Sequence, residues 1–377
     1  MKKILVLFLA LFSFSILYCQ DDKSENIKLI FIGDIMQHTP QINSAWNGKN
    51  YDYSENFKYL LPLFNYADFV IGNLETTFNG APYTGYPAFS APDDLAGALK
   101  RASVDILVTA NNHSLDKGIN GLIRTINVLD SLYINHTGTF KNKIDFQKNH
   151  PLIIQKDDIR LAILNYTYGT NALLPTSSII INLIDTNEIK DDLLLAKSYN
   201  PDGIIIYFHW GEEYQRLPNN YQKTLAEFCI KNGAHYIIGS HPHVIQPMIK
   251  SIIDTVKNLE SIVYYSLGNF ISNQRWIHTD GGAIAYLEFT KNKDGLQLSQ
   301  AGYLLSWTWK KLENNRYKYI NLPAWKYDKL ANLYPEDMSA MKFFLDSTRV
   351  HLNKYNVGIQ ELYFDEVQNV IKSINMK

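Results

Sequence analysis

Asp34, Glu75, Asn112, His113, His209, His241 and His243 all carry oxygen or nitrogen atoms that can hold a metal ion or a phosphate. Each stands where a strand-like apolar run stops. Asp34 follows Lys28-Leu29-Ile30-Phe31-Ile32-Gly33, with His38 one turn further on. Glu75 follows Asp68-Phe69-Val70-Ile71 through Gly72-Asn73-Leu74, and Asn112 and His113 follow Val104 to Thr109. His209 closes Gly203 to Phe208, and His241-Pro242-His243 follows Ile237-Ile238-Gly239-Ser240. Singly, each has an ordinary structural reading: a capping or turn-forming Asp, an Asn-Asn turn, a hydrogen-bonded core histidine beside Trp210. Together they converge, because the carboxyl ends of parallel strands gather at one edge of an open α/β sheet, where ligands bind. Carboxylate, amide oxygen and imidazole suit Mn, Fe or Zn rather than a thiolate-bound metal, and no Cys stands near them in sequence. His-x-His on a regular strand does not easily serve one ion, so a loop beside two neighbouring ions is the easier geometry.

The elements that must position these groups alternate strand and helix, which predicts an α/β core layered with helices. Helical spacing covers Glu55 to Phe64, Asp94 to Ala102, Gly121 to Leu132 and Tyr221 to Lys231, the last closed by Gly233. Further strands are expected at Leu152 to Gln155, Arg160 to Tyr166, Gly203 to Phe208, Tyr236 to Ile238 and Ser261 to Tyr265, with an edge strand over Gly282 to Thr290. From about Leu298 the texture changes, with Trp307, Trp309 and Trp325 among short strand-like pieces. Helices are then expected over Pro335 to Leu345 and Ile359 to Ile374. The expected division is a signal segment over 1–20, a main domain over 25–297 and a C-terminal appendage over 298–377.

Composition narrows the field. The 377 residues are 46% hydrophobic and 19% charged, enough for a substantial core, and the net charge of -1 advertises no nucleic-acid partner. Lys2 and Lys3 precede an apolar run from Ile4 to about Tyr18, and Gln20-Asp21-Asp22 turn the chain polar, the pattern of a secretory signal. Export to the periplasm or cell surface is therefore expected. Cys19 stands where a lipoprotein cysteine would stand, although Tyr18 before it is bulky. With the signal removed only Cys229 remains, so no internal disulfide can support the fold.

Six blocks, in order, resemble a known family. They are Gly33-Asp34-Ile35-Met36, Gly72-Asn73-Leu74-Glu75, Ala110 to Gly118, His209-Trp210-Gly211, Gly239-Ser240-His241-Pro242-His243 and Ser266-Leu267-Gly268-Asn269-Phe270. The set resembles the CapA family of capsule and poly-γ-glutamate synthesis, within the calcineurin-like metallophosphoesterase superfamily. The resemblance implies a four-layer α/β/β/α sandwich with two divalent ions. It makes Asp34 a ligand and Glu75 the bridging carboxylate, gives Asn112, His209 and His241 to one ion, and completes the other with His243. It also places His113 where a relative protonates the leaving group, with Asp116 to orient it. Two departures stand out: His38 lies four residues after Asp34 where the family superfamily pattern is Asp-x-His, and Glu75 replaces a bridging Asp one residue later.

The implied activity is metal-dependent hydrolysis of a phosphoester, or of an amide, in envelope-polymer metabolism. The rival is a non-catalytic, metal-bearing factor that binds or assembles an anionic envelope polymer, working with a membrane-bound synthesis or export partner. Asn269, Trp210 and Lys117 are the candidate substrate contacts, with Trp276 and Arg275 near the same blocks.

Overall fold

A computed structural model describes residues 25–174, 178–254, 259–329 and 333–374. The expected signal segment and Cys19 lie outside them. Two sheets dominate. In the first, the path runs Val370–Ser373, Gln360–Asp365, Gly295–Glu313, Gly281–Asn292, Glu25–Ile35, Phe69–Leu74, Ile106–Val108 and Asn135–Thr137. Asn269–Ile271 pairs with Glu25–Ile35, and Arg316–Pro323 pairs with Gly295–Glu313. The second sheet runs Met248–Asp254, Leu259–Tyr264, Tyr236–Ser240, Gly203–His209, Ile159–Thr167 and Leu152–Lys156.

Alternation along the strands builds the layers. Ile27, Leu29 and Phe31 join Ile205, Tyr207, Ile238 and Ile262 in one buried cluster, so the two sheets pack face to face. Ile30 and Ile32 point the other way, onto Leu95, Leu99 and Leu129 of the helices Asp94–Arg101 and Gly118–Ser131. Ile204, Ile206 and Phe208 likewise meet Ile189, Leu193, Leu225 and Cys229 of Thr186–Ser198 and Asn220–Lys231. The architecture is α/β, two packed sheets with helices on both outer faces. Strands covered on both sides must be apolar at nearly every position, which is why they read as unbroken hydrophobic runs.

Both sheets present parallel strand ends to the same edge. Glu25–Ile35, Phe69–Leu74 and Ile106–Val108 are mutually parallel, as are Ile159–Thr167, Gly203–His209 and Tyr236–Ser240. The Tyr207 hydroxyl donates across the interface to the Ile32 carbonyl at 2.8 Å. At Gly33 and Gly239 any Cβ would lie 1.9 Å and 2.0 Å from the Gly268 and Tyr265 carbonyl oxygens, so only glycine permits these backbones to approach.

Four expected elements differ. Glu55 to Phe64 is mostly turns, with a helix only at Leu61–Phe64, because Tyr53, Phe57 and Leu60 bury equally well from successive turns. Gly281–Asn292 is interior, not an edge strand: Glu25–Ile35 flanks it on one side and Gly295–Glu313 on the other. The stretch after Ile359 forms strands Gln360–Asp365 and Val370–Ser373 instead of a helix, because Gly302 and Tyr303 offer the former a pairing edge. Finally, residue 298 falls within Gly295–Glu313, so the C-terminal region completes the first sheet and is continuous with it. The helix at Pro335–Tyr355 is tied to that sheet by the paired hydrogen bonds of Arg349 to the buried Glu361, at 2.7 and 2.8 Å.

A chain ending at residue 297 leaves Ala283, Ala285, Leu287 and Phe289 without their neighbouring strand. Such a chain is expected to be insoluble or to melt without a cooperative transition by circular dichroism. A soluble fragment with a sharp thermal transition would show that the tail is separable after all.

Candidate metal centre

The strand ends place their polar groups in one buried knot. Asn73 Nδ2 donates to Asp34 Oδ1 at 2.8 Å, and Asn111 Nδ2 donates to Asn73 Oδ1 at 3.2 Å and to the Leu74 carbonyl at 2.8 Å. His243 Nδ1 lies 3.1 Å from both Asp34 Oδ2 and Asn269 Oδ1. His209 Nδ1 is 3.1 Å from Ser240 Oγ, and His209 Nε2 is 2.9 Å from Asn112 Oδ1. His243 is thus held by Nδ1 with its Nε2 left over, whereas His209 is held at both nitrogens, by Ser240 on one side and Asn112 on the other.

Glu75 sits at the centre. Its carboxylate is fully buried, and neither oxygen has a hydrogen-bond partner among the described residues. His209 Nε2 and His243 Nε2 approach Glu75 Oε1 at 3.6 and 3.9 Å. His241 Nδ1 is also buried and unpartnered. A buried polar atom without a partner costs about 1–3 kcal/mol, and more when charged. Burial first, then Asp34, pushes the Glu75 carboxyl well above its usual range. Burial and the neighbouring imidazoles push His209 well below its own range and His241 down to about 3. Neutral imidazoles are the form that binds metal, and a cation beside Glu75 would favour its carboxylate again.

Two donor groups emerge, Glu75 with His241 and His243, and Asp34 with Glu75 and His209. Within each group, the atoms lie within 4.8 Å of one another. Glu75 is common to both. The oxygen and nitrogen donor set fits divalent metal of the Mn, Fe or Zn type. The grouping differs from the one the resemblance implies, since His241 falls with His243 and His209 with Asp34. His38 belongs to neither group: it caps the helix Thr39–Ala45 and shares its Nδ1 with Gln41 Oε1 at 3.2 Å. The backbone is strained where the imidazoles turn inward, with positive φ at His241 (97°) and His243 (59°).

His113 lies beside this knot. Its Nδ1 is 2.7 Å from Asp116 Oδ2, which also accepts the Phe89 backbone N–H at 2.6 Å. A cleft of about 560 Å3 opens over His113 and His243 and is walled by His38, Glu213, Arg275 and Trp276.

The expected substrate contacts are rearranged. Trp210 is fully buried, stacked on Phe208 at 4.5 Å with its indole N–H on the Tyr265 carbonyl, so it packs the core and cannot touch a substrate. Asn269 is buried as well; it donates to Gln274 Oε1 and to the Thr279 carbonyl, and its Oδ1 positions His243. Lys117 caps Gly118–Ser131 and is absent from the cleft. Trp276, 69% exposed, lines the cleft instead. Sequence reasoning missed Asn73, Asn111, Ser240 and Glu213. The first three lie inside the strand-end blocks, where their polarity was the signal; Glu213 carried none beyond following His209-Trp210-Gly211.

Residues 28–274 match the family described as bacterial capsule synthesis protein PGA_cap. The capsule biosynthesis protein CapA of Bacillus anthracis is 28% identical over 293 residues, covering 72% of this chain and 66% of that protein. The PGA biosynthesis protein CapA of Bacillus subtilis is 27% identical over 281 residues, covering 70% and 68%. The chain thus spans about two thirds of the length of these relatives. Among solved structures, the calcineurin-like phosphoesterase YfkN from Bacillus subtilis aligns with 88% of this chain and 99% of that chain at 12% identity and a TM-score of 0.43.

The purified protein is expected to carry divalent metal by elemental analysis, and Glu75→Gln, which weakens the donor common to both groups, to lose most of it. Adding metal at a hundredfold excess over its Kd should stabilise the wild type by about 2.7 kcal/mol. A wild-type chain that takes up no Mn, Fe or Zn, with no shift in Tm, would contradict the metal reading.

Proposed function

Because the chain belongs to the bacterial capsule synthesis protein family, we propose that it is a hydrolase at the cell envelope, dependent on two divalent ions and acting on a phosphoester or amide bond of an anionic capsule-type polymer. The observation that carries this reading is the His113–Asp116 pair, bonded at 2.7 Å beside the metal centre and opening into the cleft. A site that only gripped a polymer has no use for a proton-transfer pair at that place.

Held by Asp34, Glu75, Asn112, His209, His241 and His243, divalent ions would neutralise substrate oxygens and lower the pKa of water toward neutrality. The chain's own groups do the rest. Asp116 accepts a hydrogen bond from His113 Nδ1–H, which orients the ring. Nε2 is then free to donate a proton to the leaving oxygen or nitrogen, a step typically worth about 10²–10⁴-fold in rate. Asp116 acts through His113 and is a positioning residue. Phe89 packs edge-on against the imidazole at 4.6 Å and fixes it from the other side.

A binding role without turnover is favoured by one feature, the exposed aromatics Tyr86, Tyr214 and Trp276 around the cleft, which suit contact with an extended chain. The rate assay separates the two readings. Metal-loaded protein is expected to turn over at least one substrate from a phosphoester panel and γ-glutamyl polymer. His113→Gln is expected to lower kcat by about 10²–10⁴-fold with metal content unchanged. Metal-loaded wild type that is inert on both substrate classes would leave the binding role standing.

A further inference from the structure

One residue of the cleft wall, Arg275, belongs to a cluster that the metal centre does not use. Arg275 follows Asn269–Ile271 on an exposed loop, and Lys310 lies on Gly295–Glu313, directly across from Tyr319 in the neighbouring strand. Both cations meet over the same phenol ring: Arg275 Cζ is 5.7 Å and Lys310 Nζ 5.9 Å from the Tyr319 centroid. Lys310 also lies 4.4 Å from the Tyr317 ring. The Tyr319 hydroxyl donates to Asn273 Oδ1 at 2.5 Å, which fixes the ring that both cations approach.

Asp280 is the acid that acts on Arg275, but it forms no ion pair with it and accepts the Trp307 indole N–H at 2.7 Å instead. Neighbouring Lys311 and Lys318 are both matched to Glu313, at 2.5 and 2.6 Å, whereas neither Arg275 nor Lys310 forms an ion pair among the described residues. The only hydrogen bond made by the Arg275 guanidinium there is to the Gln274 carbonyl, at 2.8 Å. Burial and then Arg275 lower the pKa of the Lys310 ammonium, so the two charges disfavour each other in the free protein. Two cations that disfavour each other and lack an ion-pair partner gain from an oxyanion that reaches both. Arg275 also lines the cleft that holds His113 and His243, so an anion there belongs to the same ligand as the group at the metal centre. The acid lining the cleft, Glu213, lies 3.9 Å from His243 Nε2.

We propose that Arg275 and Lys310 form an oxyanion subsite around Tyr319 that determines specificity by holding an anionic group of the substrate chain away from the bond at the metal centre. This rests on the cleft being the substrate site, as in the function proposed above. The group recognised is a carboxylate or a phosphate, which share the chemistry of a planar or tetrahedral oxyanion accepting from Arg and Lys. Arg275 supplies the directional fork and Lys310 a mobile point charge.

The test uses the full chain loaded with metal and three fluorescent probes: oligo-γ-glutamate, its methyl ester and a short polyphosphate. Wild type is expected to bind at least one anionic probe, more weakly as salt is raised, and to bind the methyl ester poorly. Arg275→Gln with Lys310→Gln is expected to weaken anion binding by roughly tenfold or more and to flatten its salt dependence. The conservative pair Arg275→Lys and Lys310→Arg should recover much of the loss, while metal content and Tm stay at wild-type values throughout. Loss confined to the oligoglutamate assigns a carboxylate, and loss confined to polyphosphate assigns a phosphate. Wild-type binding of neither anion, or binding that the Gln pair leaves intact, overturns the subsite. Charge-dependent binding without turnover would keep the subsite and remove the hydrolase.

Discussion

A carboxylate with no partner, sealed between two sheets, is the constraint around which this molecule is arranged. Glu75 is fully buried, with both oxygens unmatched among the described residues and two imidazole nitrogens within 3.9 Å. Left alone, such a group is costly, and proteins retain that cost where an ion or a reaction repays it. The neighbouring strain follows the same logic. The positive φ angles of His241 and His243 belong to a loop that brings both imidazoles to Glu75 from either side of Pro242.

Strand ends supply what such a centre needs, because a ligand fixed at the end of a buried strand inherits the rigidity of the sheet. Asp34, Glu75 and Asn112 come from the first sheet, and His209, His241 and His243 from the second. The centre therefore spans the interface between sheets, and the spacing of its donors depends on how closely the sheets pack. The Tyr207–Ile32 hydrogen bond ties the sheets at that interface, and Gly33 and Gly239 let neighbouring backbone of their own sheets approach beside the donors. The extended C-terminal region contributes at a distance: it flanks Gly281–Asn292, which in turn flanks the strand carrying Asp34.

The convergence of polar strand ends was legible in the sequence because a buried run that stops abruptly at Asp, Glu, Asn or His has few ordinary explanations once five such stops occur. The layered α/β core was legible for a related reason, since strands covered on both faces are apolar throughout. Orientation was not. Trp210 follows a ligand directly, yet it continues the outward alternation of Ile206 and Phe208 and so packs against helices, while His209 faces the centre. Asn269 looked like a substrate contact because it is polar and near the blocks; only the bonds to Gln274, Thr279 and His243 reveal that its capacity is already used. The final strands were taken for helix because Leu362, Phe364 and Ile371 satisfy either period over so short a stretch, and the choice is made by the pairing edge at Gly302 and Tyr303.

Metal ligands and substrate walls are thus carried by different kinds of structure. The ligands sit on or directly after strands, where displacement of one would disturb both sheets. The cleft is walled largely from loops, with Tyr86, Glu213, Tyr214, Arg275 and Trp276 lying outside every strand. Loops can change without loss of the core, so chemistry and recognition are free to vary separately in this architecture. Charge follows the same division. Acids concentrate where cations would bind, and the unmatched Arg275 and Lys310 stand apart from them over Tyr319. Under the proposed reading, an anionic chain in the cleft would meet positive charge at Arg275 as well as at the loaded metal centre. Holding a chain at two points would orient it before any bond is touched, and such orientation is an entropic saving in the step that follows.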